Sequence, residues 1–560
     1  MRVYEDYYWL NEESRTFLKR GYLREGVSPE ERIKEIGDHA EKILGEKGFS
    51  ARFEECMKRG WFSLASPIWS NFGLDRGLPI SCNGSYIGDS MEDILSKVSE
   101  IGMMTKMGAG TSAYFGDLRP RGSSIGNNDG KSMGAVHFME LFDKTTTVIS
   151  QSNVRRGQCA AYLPVEHGDI EEFLQIRGEG HSIQKLSIGV CISDAWMEDM
   201  IAGDADKRRI WTKIIQMRFE TGYPYSFFSD TVNNNAPEVY SSTRRRHWIR
   251  ASNLCSEIAL SSDKNSSFVC CLSSMNLLHY DEWVNTDAVA ILTKFLDAVM
   301  SSYIELTAEI PFMGDANYFA ATQRAIGVGV LGWHSYLQSK GIAFSSFEAK
   351  LLNVEIFKHI QAETEQASKE MAAIHGPAPI YQHSAVGPEN WKRNTTLMAV
   401  APTASSSFIL GQVSASIEPL ASNYFIQDLD RIKSTYKNPY LKELLIEKGQ
   451  DTKETWMSIL DRGGSVQHLE CLTPEEKAVF ETFGEISQKE VVIQASARQK
   501  YIDQSQSLNL MIPFNTSPKE VSDLLIERWR LGVKTFYYQK GTNPSQSLSQ
   551  NISSCKSCEA

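Results

Sequence analysis

From Leu64 to about Tyr538 the chain alternates short apolar runs of strand length with amphipathic stretches of helical period. The helical stretches include MEDILSKVSEIGMMTKM, RRIWTKIIQMRFETG and FEAKLLNVEIFKHIQAETEQASKEMAAIHG. That rhythm predicts an α/β domain over residues 64–538. The preceding segment, 1–63, is charged and helical in pattern, with SRTFLKRGYL followed by SPEERIKEIGDHAEKIL. Ser28-Pro29-Glu30-Glu31 reads as a helix start with proline in the first turn, so residues 1–63 are predicted to form a helical cap on the main domain. Residues 539–560 begin with QKGTNPSQSLSQNISS, which has almost no large apolar side chain and predicts a flexible tail. No internal repeat or heptad run interrupts this plan.

Composition narrows the class. At 560 residues the chain exceeds one ordinary core but suits a large barrel enzyme with an appendage, and 42% hydrophobic residues with a net charge of −11 describe a globular protein. No apolar run approaches bilayer length, and MRVYEDYYWLNEESR lacks an apolar signal core, so no membrane partner and a cytoplasmic location are expected. Ten cysteines are too sparse for a secreted disulfide scaffold, and any disulfide is expected to be catalytic. The acidic balance argues against nucleic acid as a partner. The basic run Arg244-Arg245-Arg246-His247 reads as a solvated loop.

Asn253-Leu254-Cys255-Ser256-Glu257 concentrates chemistry in five residues. In an extended strand Asn253, Cys255 and Glu257 line one face, setting an amide, a sulfur and a base toward one substrate. Taken alone, the same pattern also describes a buried structural cysteine between polar residues. A second motif carries less weight: Gly327-Val328-Gly329-Val330-Leu331-Gly332 matches G-x-G-x-x-G, but it follows the predicted helix NYFAATQ and has no acidic residue ending a second strand. Tight packing is the expected use of these glycines.

SNLCSEIAL, residues 252–260, resembles the thiyl-radical segment of the large subunit of class I ribonucleotide reductases. Further segments of that family stand in order: Ser66-Pro67, Ser81-Cys82, Arg119-Pro120-Arg121-Gly122 and Val154-Arg155-Arg156-Gly157 before it. After it come Cys270-Cys271-Leu272-Ser273-Ser274-Met275-Asn276-Leu277, Pro402-Thr403-Ala404-Ser405-Ser406-Ser407, Lys534-Thr535-Phe536-Tyr537-Tyr538-Gln539 and a terminal cysteine pair. The resemblance implies a ten-stranded α/β barrel of two five-stranded halves, with Cys255 on a finger loop at its centre. It implies a ribonucleoside-diphosphate reductase in which Cys255, as a thiyl radical, abstracts the 3′-hydrogen of the ribose. Glu257 would be the 3′-OH base and Asn253 would orient the sugar. Cys82 and Cys270 would supply two electrons by closing a disulfide, with Cys82 protonating the leaving hydroxyl and Cys271 facing away. Tyr537 and Tyr538 would relay the oxidising equivalent from a separate metal-containing small subunit, so the chain itself is expected to hold no metal and no cofactor beyond Mg2+ carried by bound nucleotides. Cys555 and Cys558, on a linker of 16 residues with a coil span of about 20–24 Å, would pass electrons from a thioredoxin- or glutaredoxin-like reductant. Zinc is the rival for that C-x-x-C, but no second ligand pair accompanies it.

The hydroxyl-rich run Thr403, Ala404, Ser405, Ser406 and Ser407 leads into an apolar stretch and is assigned to substrate phosphate, with Ser66 and Ser81 completing the contact. The resemblance implies a specificity site for dNTP or ATP effectors at Asp89 (sugar) and Arg119 (phosphate), beside a homodimer interface of helices near residues 91–107 and 131–149. Gln151 and Arg155 would carry the effector's identity toward the substrate base, and Ser152-Asn153 stands where a glycine pair is common in the family. The matching segment begins at Leu10, so the resemblance is to a compact form without the amino-terminal ATP cone, in which dATP is expected to alter base choice and not overall activity. Two rivals differ in kind: a cobalamin-dependent class II reductase, distinguished by a cobalamin requirement, and a silent nucleotide-binding scaffold, distinguished by lack of turnover with any radical source.

Overall fold

The computed structural model describes residues 6–541 apart from 127–129, 150–156, 245, 430–431 and 514. Near the amino terminus, helices Glu12–Lys19, Pro29–Leu44 and Phe49–Lys58 form the cap. The predicted start at Ser28 is a capping box, in which the Ser28 hydroxyl accepts from the Glu31 backbone N–H and the Glu31 carboxylate accepts from Ser28 N–H. This region shares the barrel's core: the Phe53 ring centroid lies 4.7 Å from that of Phe295, and buried Arg32 donates to the Ile68, Trp69 and Phe72 carbonyls.

After a short strand β1 (Phe62–Leu64), five parallel strands form the first half: β2 (Cys82–Tyr86), β3 (Thr111–Tyr114), β4 (Cys159–Pro164), β5 (Ser187–Ile192) and β6 (Tyr225–Phe228). The crossover helices include Met91–Lys106 and Ala205–Thr221, as the apolar periodicity predicts. The second half starts with β7 (Phe268–Asn276), parallel to β8 (Ile326–Leu331). It continues through parallel bridges Val328↔Met398 and Val400↔Gln506. A hairpin of β9 (Tyr424–Leu429) and β10 (Ile432–Lys437) lies off the barrel path, beside a small separate core around Leu441, Trp456 and Ile459. The last two barrel segments contain β11 (Leu510–Ile512), then β12 (Thr535–Phe536) and β13 (Gln539–Gly541), with β11 parallel to β13. Residues 539–541, the start of the predicted tail, are thus a strand.

The halves meet antiparallel at two seams. At one, Cys82 of β2 stands opposite Cys270 of β7; at the other, Phe227 of β6 stands opposite Thr535 of β12. Ten strand segments in two parallel sets of five therefore close the α/β barrel that the resemblance implies. The glycines of Gly327–Gly332 serve packing: a Cβ on Gly327 would lie 2.4 Å from Leu272 Cδ2, and one on Gly329 would lie 2.7 Å from the Ala399 carbonyl oxygen.

Candidate active site

The chain between helix Glu238–Ser242 and β7 runs through the barrel centre as an irregular loop. Here one expectation is corrected. Residues 253–257 form no strand: a turn covers Leu254–Ser256, with Ser256 at φ 69° in the left-handed region. Alternation therefore does not bring the three residues together. Asn253 and Glu257 meet across the turn, Asn253 Nδ2 donating to Glu257 Oε1 at 2.9 Å, and Cys255 sits at its tip. The loop is fixed by both halves of the barrel. Tyr162 on β4 donates to the Asn253 carbonyl at 2.8 Å, Thr535 Oγ1 donates to the Ser256 carbonyl at 2.8 Å, and Ser505 N–H donates to the Glu257 carbonyl at 2.9 Å.

The functional side chains converge on this turn and are buried. Cys82 Sγ approaches Glu257 Oε1 at 3.9 Å, and Ser507 Oγ donates to Glu257 Oε2 at 2.9 Å. Cys82 and Cys270 are directly opposed across an antiparallel pair, where side chains share a face with Cβ atoms about 4.5–5.5 Å apart. That separation is close to disulfide geometry. Both are thiols here, with no disulfide between them. Gln504 Nε2 approaches Cys270 Sγ at 3.3 Å, and burial pushes the Cys270 thiol well above its ordinary range, so it holds its proton at neutral pH. Cys271, next along β7, alternates to the opposite face of the strand and is pushed up by burial as well.

On the other side of the turn, the Tyr537 hydroxyl lies 3.5 Å from Cys255 Sγ. The rings of Tyr537 and Tyr538 have centroids 4.3 Å apart, and Tyr538 is partly exposed where Tyr537 is buried. The three groups thus form a contact chain from near the surface to the thiol.

The hydroxyl-rich run lies at the start of helix Ala404–Ile409, beside the approach to helix Ser66–Asn71, where Ser406 Oγ reaches the Leu64 carbonyl at 3.4 Å. Thr403 Oγ1 accepts from Ser416 N–H at 2.7 Å and contacts Ser407 Oγ at 3.0 Å. Ser81, beside Cys82, accepts at its carbonyl from Gly110 N–H at 2.9 Å. Asp89 and Arg119 are paired with each other, Arg119 Nε to Asp89 Oδ2 at 2.8 Å, with both side chains 36% exposed. Gln151, Arg155, Cys555 and Cys558 lie outside the described residues. Tyr162, Gln504, Ser507 and a second tyrosine pair, Tyr223 and Tyr225, belong to the site and follow from no motif. The only sequence signal for two of them is the polar run Gln504-Ser505-Gln506-Ser507 ahead of an apolar strand.

Three comparisons bear on this geometry. The family described as ribonucleotide reductase, barrel domain, matches residues 80–207, 199–390 and 387–539. The alpha subunit of the class Id ribonucleotide reductase of Actinobacillus ureae is 52% identical, with a TM-score of 0.91 over 97% of this chain and 100% of that one. A Frog virus 3 (isolate Goorha) protein named as a ribonucleoside-diphosphate reductase large subunit is 35% identical over 523 residues, 90% of each chain. The vitamin B12-dependent ribonucleoside-diphosphate reductase of Mycobacterium tuberculosis is 28% identical over 571 residues, 95% of this chain and 80% of that one. The chain belongs to the ribonucleotide reductase family.

Proposed function

We propose that this chain is the large, catalytic subunit of a class I ribonucleoside-diphosphate reductase, converting ribonucleoside diphosphates to 2′-deoxyribonucleotides. The observation that carries the class is the contact chain Tyr538, Tyr537, Cys255, with 4.3 Å between rings and 3.5 Å from hydroxyl to sulfur. Such a chain serves an oxidant delivered from outside, by a metal-containing small subunit. A cobalamin enzyme makes its thiyl radical in place and does not need it.

In the reaction, the Cys255 thiyl radical takes the 3′-hydrogen atom and becomes a thiol. Glu257 takes the 3′-OH proton, Cys82 protonates the 2′-oxygen, and water leaves. The Cys82 and Cys270 thiols then give up two electrons and two protons in all as they close a disulfide. Glu257 hands its proton back to the 3′-oxygen as the two electrons reduce the 3′-ketone, and Cys255 finally returns its hydrogen atom to C3′ and regains the thiyl state. The proton held on Cys270 and the short path from Cys82 to Glu257 suit these transfers. The hydroxyls at Ser66, Ser81 and Thr403–Ser407 hold the substrate's diphosphate and ribose. Cys555 and Cys558 reduce the disulfide and are themselves reduced by a thioredoxin- or glutaredoxin-like protein.

Asp89 and Arg119 exchange their mutual ion pair for the sugar and phosphate of a nucleotide effector, with Gln151 and Arg155 passing on its identity. The working form is a homodimer. Supporting this, helices Met91–Lys106 and Ala135–Val148 leave Met91, Leu95, Leu141 and Val148 exposed. CDP reduction by the chain with a class I small subunit tests the reading: turnover is expected with the wild type and none with Cys255→Ser, which cannot form a thiyl. Activity that needs cobalamin and no second subunit would overturn it.

A further inference from the structure

Tyr223 and Tyr225 join the relay tyrosines in one cluster. Tyr225, first residue of β6, has its ring centroid 4.9 Å from that of Tyr537 and 5.2 Å from that of Tyr538. Tyr223 lies 5.2 Å from Tyr538 in an edge arrangement at 74°. Its hydroxyl is 2.8 Å from the Tyr538 hydroxyl, a full hydrogen bond between two phenols.

The surroundings of the two phenols differ in a way that divides their roles. Tyr223 is only 2% exposed, whereas Tyr538 is partly open. Tyr223 therefore stands behind Tyr538 and not between it and the surface from which an oxidant arrives. Tyr223 is also held on several sides: the Arg177 guanidinium lies 4.6 Å over its ring, its hydroxyl is 3.3 Å from Ser187 Oγ, and its ring packs 5.1 Å from that of Tyr225. A cation over a ring is attracted by the electron-rich face. Withdrawing an electron from that ring weakens the attraction, so an oxidising equivalent is favoured on Tyr538 over Tyr223. What the fixed phenol gives its neighbour is orientation. A partly exposed tyrosine that rotated away from its 4.3 Å contact with Tyr537 would break the relay.

We infer that Tyr223 is a positioning residue of the radical relay, its hydroxyl holding the Tyr538 phenol against Tyr537; this rests on the class I reading above. The test uses the full chain with its small subunit. Tyr223→Phe keeps the ring and its packing and removes only the hydroxyl. Turnover of CDP is expected to fall about two- to tenfold, the worth of one neutral hydrogen bond, with KM for CDP unchanged. The discriminating readout is spectroscopic. With 3-aminotyrosine in place of Tyr538 the radical is trapped at that position. In the Tyr223→Phe background its high-field EPR gx value is expected to rise, and one exchangeable-proton coupling to disappear, because a hydrogen bond to the radical's oxygen lowers gx. A tyrosine that merely fills the core would leave that spectrum unmoved. An unchanged spectrum would remove Tyr223 from the relay. Complete loss of turnover with no radical at position 538 would equally overturn the assignment, by making Tyr223 a carrier. Full activity of Tyr538→Phe would bring down the class I reading itself, through a variant in which Tyr223 is untouched.

Discussion

Replacing Ser507 by alanine removes one hydroxyl that touches the catalytic turn twice. Its oxygen lies 2.9 Å from Glu257 Oε2 and 2.5 Å from the Cys255 carbonyl oxygen. A hydroxyl has one proton, so these two acceptors share it. Without it, the contacts of the Glu257 carboxylate described above shrink to Asn253 Nδ2 at 2.9 Å and the weak approach of Cys82 Sγ at 3.9 Å. A hydrogen bond to a charged group contributes about 1.5–3 kcal/mol, and 1.36 kcal/mol is about tenfold in rate. If Glu257 is the base that takes the 3′-OH proton, a carboxylate no longer fixed at Oε2 is misplaced, and Ser507→Ala lowers the rate of the chemical step by about ten- to a hundredfold. The hydroxyls assigned to the substrate phosphates are untouched, so KM for CDP holds. The assay is single-turnover conversion of CDP to dCDP by prereduced enzyme with its small subunit, where recycling of the disulfide does not enter. Ser507→Thr, which keeps the hydroxyl, serves as the matched control. A Ser507→Ala rate within twofold of wild type refutes the assignment of Glu257 as a base held by this bond.

Replacing both Cys555 and Cys558 by serine is expected to abolish steady turnover with thioredoxin while leaving about one product burst per site, partly restored by a small dithiol that reaches Cys82 and Cys270 directly. Sustained turnover with thioredoxin would show that the tail is not the shuttle. A second expectation concerns His334, whose Nδ1 accepts from Leu420 N–H at 2.8 Å and whose burial pushes its pKa down from 6.5 to about 3. Because the folded value lies below the unfolded one, this contribution to stability is present above pH 6.5 and is lost as pH falls toward 3. Between pH 7 and pH 5 the loss is about 2 kcal/mol. Urea unfolding at both pH values is therefore expected to show a smaller drop for His334→Gln than for wild type, and equal drops would refute the account.

What the sequence made legible was whatever short segments encode. The Ser28 cap is local chemistry, and the alternation of strands and crossover helices is local periodicity, so both read correctly from the chain. Asn253, Cys255 and Glu257 do come together, but not by the alternation the sequence suggested: Asn253 and Glu257 meet across a turn with Cys255 at its tip. Alternation assumes extended backbone, and nothing in SNLCSEIAL announces that Ser256 turns to φ 69°. Asp89 and Arg119, each expected to contact an effector, hold each other instead; an ion pair this exposed contributes little, so on the proposed reading a nucleotide would displace it at small cost. Ser507, Gln504, Tyr162 and Tyr223 were not legible, because barrel closure gives them their partners. Ser507 meets Glu257 across 250 positions of sequence, and Tyr223 meets Tyr538 across 315.

Closure itself distributes the chemistry. Two parallel half-barrels can join only where their edge strands run antiparallel, and each seam sets a cross-strand pair of side chains on one face. The β2/β7 seam sets Cys82 against Cys270, a cross-strand pair whose Cβ spacing is close to what a disulfide requires. At the β6/β12 seam, the register that pairs Phe227 with Thr535 and Ser226 with Phe536 runs on to bring Tyr225 beside Tyr537. On the proposed reading, one seam would hold the reductant and the other the oxidising relay. The finger loop lies between them, with Glu257 reaching Cys82 at 3.9 Å and Cys255 reaching Tyr537 at 3.5 Å. On the proposed reading, a radical arriving from one seam and an electron pair leaving the other would meet on this five-residue turn, whose three side chains are placed by strands of both half-barrels.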